Sequence, residues 1–221
     1  MSTFRKFWQT VPRTDYFEFF NDFTRPTDYD TNDWTLTKVE AGAGSHSAAI
    51  GNLAGGILVS TNDAADDDGA FFQSTKELFK YDAAKALEFE IRFKLSDVTQ
   101  SDFIAGLVIT DTTPLANSDG IFFRKNDGDA IPDFVVCKNG TETVTELPAA
   151  LVNDTYVKLG FYYDGNTAHK LQIFVNDIRV GASVLTNVVD DEELAVTFGH
   201  QNGEAVSKIL SVDYIRAVEQ R

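Results

Sequence analysis

The chain has 221 residues with a hydrophobic share of 43%, enough to bury a core without staples, which excludes a wholly disordered chain. Its formal net charge of −15 at pH 7 repels phosphate backbones and anionic lipid, which excludes nucleic acid and membrane as partners. A single cysteine, Cys137, excludes an internal disulfide.

The chain opens on MSTFRKFWQTVPRTD. This segment has no apolar h-region, so no secretory signal is expected, and no run reaches membrane-spanning length. Residues 1–14 hold Arg5, Lys6 and Arg13 and no acid. They read as a basic arm on an acidic body, and residues 15–221 read as one domain. An aromatic in such an arm, Trp8, suits a pocket on a partner.

The rest reads as short strands. Candidates in chain order are 56–60, 70–74, 86–95, 103–110, 120–125, 133–138, 141–147, 155–164, 170–176, 193–199 and 208–218. The clearest is LEFEIRFKL, where Leu87, Phe89, Ile91, Phe93 and Leu95 alternate with Glu88, Glu90, Arg92 and Lys94. Period two means one dry face and one wet face. Clusters such as TNDAADDDG, NSDG, KNDGD, KNG, DGN and HQNG mark the turns between strands. Helical signal is confined to short pieces such as STKELFKYDAAK. No βαβ rhythm, repeat or flexible linker is visible, so the fold class is all-β, a sandwich or barrel. Cys137, in the apolar run DFVVCK, is expected to be a small buried hydrophobe.

TYVKLGFYYDGNTAHKLQIFVNDIRVGA (155–182) resembles the central hairpin of the laminin-G-like branch of the concanavalin A-like jelly rolls. There a strand ends in Asp-Gly, here Asp164 and Gly165. The next strand ends in an Asn-initiated turn before a basic-apolar pair, here Asn176, Asp177, Arg179 and Val180. SVDYIRAV (211–218) resembles the closing strand, which pairs with the opening one, here YFEFFNDF (16–23). The resemblance runs from about residue 15 to the end and implies an antiparallel β-sandwich jelly roll; a fold alone does not give a function.

A narrower resemblance is to virion structural proteins of marine tailed phages. It is carried by FNDF and Trp34, then AGAGSHSAAIGNLAGG, NDAADDDG, AFFQS and LEFEIRFKL in that order. It implies a non-enzymatic decoration (cement) protein on the outer head of a virion, made in a host cytoplasm. Its partner would be the major capsid protein, with a homo-oligomer or many copies on the lattice. Binding only the expanded shell would stabilise that state by mass action, and Phe4, Arg5, Lys6, Trp8 and Arg13 of the arm would make the contact. The alternative is a glycan-binding module of a tail, fibre or adhesion protein, which predicts a shallow pocket with an exposed aromatic. A glycoside hydrolase comes third.

The candidate sites divide along the same lines. Glucanases of the concanavalin-like superfamily carry an E-x-D-x-E strand, and here the three positions hold Glu88, Glu90 and Arg92. Arginine keeps its proton at neutral pH and cannot serve as the acid. Glu88 and Glu90 are therefore expected on a solvated strand face, paired with cross-strand charges, and no catalytic residue is assigned. Asp63, Asp66, Asp67 and Asp68 are weak calcium candidates, since calcium takes several oxygen ligands, but a solvated loop is preferred. Asp127 and Asp129 read as turn residues. His46, His169 and His200 fall in expected turns without zinc spacing, and no G-x-S-x-G elbow or phosphate loop occurs. Of the adjacent pairs Phe71/Phe72, Phe122/Phe123 and Tyr162/Tyr163, one ring each should enter the core because neighbours on a strand face opposite ways. Trp34 is expected in the core.

Overall fold

The computed structural model describes residues 13–221 except Ala43 and Leu53, with the backbone alone for Arg13. Phe4, Arg5, Lys6 and Trp8 of the expected arm lie outside the described residues. Arg13 lies in a 3-10 turn, Arg13–Asp15, that leads into the first strand.

In chain order the strands are β1 (Tyr16–Asn21), β2 (Trp34–Val39), β3 (Ser47–Ile50), β4 (Leu58–Thr61), β5 (Gly69–Ser74), β6 (Ala86–Leu95), β7 (Ser101–Val108) and β8 (Gly120–Lys125). They continue with β9 (Asp133–Lys138), β10 (Thr141–Glu146), β11 (Val157–Asp164), β12 (Leu171–Val175), β13 (Ile178–Ser183), β14 (Ala195–Asn202) and β15 (Ile209–Gln220). They form two antiparallel sheets. One has eight strands, in the order β13-β12-β11-β6-β15-β4-β3 with β1 also on β15; the other has seven, in the order β10-β9-β8-β7-β14-β5-β2. The fold is an antiparallel β-sandwich jelly roll, as the sequence implies.

Alternation builds the layer between the sheets. Leu87, Phe89, Ile91, Phe93 and Leu95 of β6 all enter one core with Phe103, Ala105 and Leu107 of β7. Phe93 stacks on Phe103 across the layer with ring centroids 4.1 Å apart. Phe161 meets Phe89 at 5.7 Å and Phe134 at 5.6 Å. Trp34 is in the core, edge-on to Phe198 at 5.1 Å, and its indole N–H donates to the Asp28 carbonyl at 2.8 Å, so the one polar atom of the ring is satisfied.

Two tight turns fix register where the sequence says they should. Asn139 and Gly140 both have positive φ (51° and 73°) between β9 and β10, and Asn176 and Asp177 do the same (49° and 68°) between β12 and β13. Two such residues give the type I′ turn whose twist matches the paired strands. The opening and closing strands also pair as the resemblance implies, from Tyr16 opposite Gln220 to Asn21 opposite Ile215.

Several expectations need correction. STKELFKYDAAK forms no helix: Phe79 makes an isolated bridge to Leu194, and Lys80 N–H donates to Glu219 at 2.8 Å. Phe79 and Tyr81, two residues apart, are both buried while Leu78 is 54% exposed, so extended chain satisfies burial and a helix would not. β2 (WTLTKV), β3 (SAAI) and β13 (IRVGAS) do not stand among the candidate strands above; β3 and β13 are rich in small residues. His200 lies within β14, fully buried, rather than in a turn.

The phenylalanine pairs do point opposite ways, yet both members are buried. Phe72 and Phe123 join the main core, whereas Phe71 and Phe122 join Ile104, Val108, Val135 and Cys137 on the outer face of the seven-stranded sheet. Leu115, in the 3-10 turn Pro114–Ala116, packs against that cluster. Cys137 is buried there as expected, its thiol donating to the Ser118 carbonyl at 3.1 Å. The outer face of the seven-stranded sheet therefore carries a buried apolar cluster, flanked in register by polar residues such as Arg124, paired with Glu142.

Candidate functional site

The polar face is built by register. Inward residues of β6 fill the core, so Glu88, Glu90, Arg92 and Lys94 project from the other side of the eight-stranded sheet. Cross-strand pairing sets two rows on that side. One runs Phe20, Arg216, Glu90, Gly160, Phe174 and Arg179; the other runs Glu18, Val218, Glu88, Tyr162, Gln172 and Ala182. Gly160 carries no side chain, so strand backbone forms the floor between Glu90 and Phe174.

Glu88 and Glu90 are not a wet face. Glu88 is 1% exposed and Glu90 8%. Arg216 hydrogen-bonds Glu88 through Nη1 and Glu18 through Nε, the latter at 2.6 Å. The Tyr214 hydroxyl donates to Glu90, and Lys158 lies 3.7 Å from the same carboxylate. Burial pushes Glu88 up to about 8; Arg216 restrains the rise and the neighbouring Glu90 adds to it. Burial thus opposes ionisation of Glu88 while Arg216 favours it, and a second carboxyl, Glu90, stands two residues along the strand. Arg92, at the third position, is bound to Asp213 and stacks over Tyr156, 4.3 Å from the ring centroid.

The face is open at its two flanks. On the β1 side, Phe20 is 54% exposed and lies 6.2 Å from Tyr214, ring centre to ring centre. It is the only exposed aromatic among the described residues. A cavity of about 280 Å³ begins there, lined by Phe19, Phe20, Asn21, Asp22, Thr24, Arg25, Asp28 and Asp33. On the β13 side, a cavity of about 350 Å³ is lined by Asp164, His169, Lys170, Gln172 and Arg179.

The other sequence candidates lie elsewhere. Asp63, Asp66, Asp67 and Asp68 occupy the β4–β5 loop, on another part of the sandwich. Asp66 and Asp67 are exposed, but Asp68 is 2% exposed and accepts from the Ala41 amide at 2.6 Å, so it is a loop clamp rather than a solvated residue. Among the described residues no group of three His, Cys, Asp or Glu side chains is placed to hold a metal. Asp127 and Asp129 are turn residues, and the buried Lys125 ammonium donates to the Asn126 and Asp129 carbonyls at 2.9 Å each. His46 bonds Ser60 at 2.9 Å inside the sandwich. Tyr163 is core, its hydroxyl donating to the Ala83 carbonyl at 2.7 Å, and Tyr162 stands on the polar face.

Sequence reasoning missed Phe20, Tyr214, Arg216 and Gln172. Their only signal is parity: each occupies an outward position on a strand whose alternate residues are apolar.

No protein-family model and no curated protein matches the chain. Solved structures do. An endo-1,3-beta-glucanase from Streptomyces sioyaensis aligns at TM-score 0.63 and 13% identity, covering 95% of this chain and 98% of that one. A Bacteroides ovatus GH16 protein in complex with a mixed-linkage glucan product aligns at 0.62 and 13%, covering 90% and 99%. The potassium-bound Emp46p carbohydrate recognition domain aligns at 0.60 and 12%, covering 89% and 94%. The chain has the concanavalin A-like sandwich fold. At such identities the likeness speaks for the fold alone.

The expectation of a non-enzymatic protein does not stand. It rested on an arginine in the third position and on a wet glutamate face. The similar structures include a glucanase and a GH16 protein, and Glu88 and Glu90 are buried rather than wet.

Proposed function

We propose that the chain binds an oligosaccharide along the outer face of the eight-stranded sheet. The observation that carries this reading is Phe20, the one aromatic ring left exposed among the described residues, set beside Tyr214 at the edge of a polar cavity. An exposed ring offers an apolar platform for the C–H face of a sugar, and neighbouring amide, hydroxyl and carboxylate groups meet its hydroxyls. Likeness of fold to a carbohydrate recognition domain and to glucan-acting proteins supports it. The test is a glycan array followed by titration calorimetry on the best binder. Phe20→Ala, at an exposed position, is expected to weaken binding tenfold or more without lowering the melting temperature. Unchanged affinity would remove the ring from the site.

A second reading, polysaccharide cleavage, is favoured by one observation: Glu88 and Glu90 stand two residues apart on the same outward face, and burial raises Glu88. Release of reducing ends from the bound glycan, lost in Glu88→Gln, would establish it. The finer virion reading, a decoration protein bound to a major capsid protein through Phe4, Arg5, Lys6, Trp8 and Arg13, rests on the order of sequence segments and is kept as a separate proposal. Counting the protein in purified particles by quantitative mass spectrometry tests it; absence from particles ends it.

A further inference from the structure

The β13-side cavity has a charge that the rest of the molecule does not predict. The chain carries 34 acidic and 19 basic side chains, yet this cavity of about 350 Å³ is lined by Lys170, Arg179 and His169 against a single acid, Asp164. That acid is already engaged: its Oδ2 lies 2.5 Å from His169 Nδ1 and its Oδ1 accepts from the Asn166 amide at 3.2 Å. Among the described residues, neither Lys170 nor Arg179 forms an ion pair. Two cations left without acids in a chain of this charge are a local reversal of the field.

Position adds to the argument. Arg179 lies opposite Phe174 and Gln172 lies opposite Tyr162, so the cavity continues the two rows that pass Glu90 and Glu88. Arg179 stands on β13, Gln172 on β12 and Asp164 at the end of β11, while His169 and Lys170 sit in the turn that joins β11 to β12. A guanidinium offers a planar fork for a carboxylate or sulfate, an ammonium adds a point charge, and the Gln172 amide can meet a ring hydroxyl.

We propose that this cavity is the subsite for an anionic sugar residue, and that the glycan held by the face is acidic, bearing carboxylate or sulfate groups. This rests on the reading of the face as a glycan site. A neutral oligosaccharide would leave Lys170 and Arg179 without partners, whereas an anionic one replaces their water with charge-assisted bonds. Screening by salt should weaken the acidic ligand far more than a neutral one.

The experiment titrates the whole chain, by calorimetry, with three probes of matched length: a neutral β-glucan oligosaccharide, an oligouronate and a sulfated galactan oligosaccharide. Lys170→Gln and Arg179→Gln are then titrated in parallel; both positions are exposed, and melting curves confirm folding. The expected result is that an anionic probe binds at least tenfold tighter than the neutral one. Each variant should lose about tenfold for that probe and nothing for the neutral one. The oligouronate and galactan arms separate carboxylate from sulfate. Binding of the neutral probe alone, or equal binding of all three, overturns the anionic subsite and leaves the glycan face standing. Binding of none overturns both.

Discussion

Glu88 shows how one residue can be chosen by the sequence and misplaced by it. Its outward parity is legible in ALEFEIRFKL, but parity says nothing about what covers the outward side. Its burial has a consequence with a definite sign. A carboxyl raised from 4.5 to about 8 on folding binds more protons in the native state than in the unfolded one between those values. Its contribution to stability is therefore complete below pH 4.5 and is lost as pH rises through about 8. Burial does the reverse to His46, lowered from 6.5 to about 4: its contribution is present above 6.5 and is lost as pH falls through about 4. Melting curves across this range should show Glu88→Gln flattening the alkaline slope and leaving the acid limb unchanged. His46→Gln should do the opposite.

Elements differ in how far local chemistry specifies them. The β9–β10 and β12–β13 turns are readable because Asn, Asp and Gly tolerate positive φ. The segment after β5 is not, because its helix formers are overruled by the burial of Phe79 and Tyr81 two residues apart. Two glycines separate local from tertiary constraint. At Gly140, φ is +73° and a Cβ would meet nothing within 4 Å, so Gly140→Ala carries backbone strain of about 1–2 kcal/mol. At Gly106, in β7, a Cβ would stand 2.5 Å from the Ile121 carbonyl oxygen and from Phe122 Cα, backbone that cannot yield without parting β7 from β8. Chemical denaturation should find Gly106→Ala at least twice as costly as Gly140→Ala. Equal costs would mean that the β7–β8 pairing relaxes freely.

Across the whole molecule, charge rather than any one contact sets the response to solvent. With a net charge of −15 at pH 7 and a sequence pI near 4.5, the folded state works against its own repulsion at neutral pH and hardly at all near the pI. Raising salt from about 0.01 M to about 0.5 M shrinks the Debye length several-fold. The melting temperature should therefore climb with salt at pH 8 and stay flat at pH 4.5. A flat response at pH 8 would place the acids in compensating networks, of which Arg124 with Glu142 and Lys208 with Asp97 and Glu204 are examples. Against a net charge of −15, the β13-side cavity places two cations, Lys170 and Arg179, beside one acid, Asp164.

The sequence by itself determined the all-β class, the alternation that divides each strand into two faces, the positive-φ turns and the burial of Trp34 and Cys137. Each depends on neighbours one to four residues apart, where backbone geometry and side-chain parity act directly. Only the tertiary structure decided that Phe71 and Phe122 are buried in a second cluster, that Glu88 and Glu90 are buried beside Arg216 and Tyr214, and that Phe20 and Arg179 mark opposite flanks of one row. Those facts join β1, β6, β11, β12, β13 and β15, which lie up to about two hundred positions apart in the chain and meet only through sheet register. No local pattern carries that register, because it is set by the core that all the strands bury together.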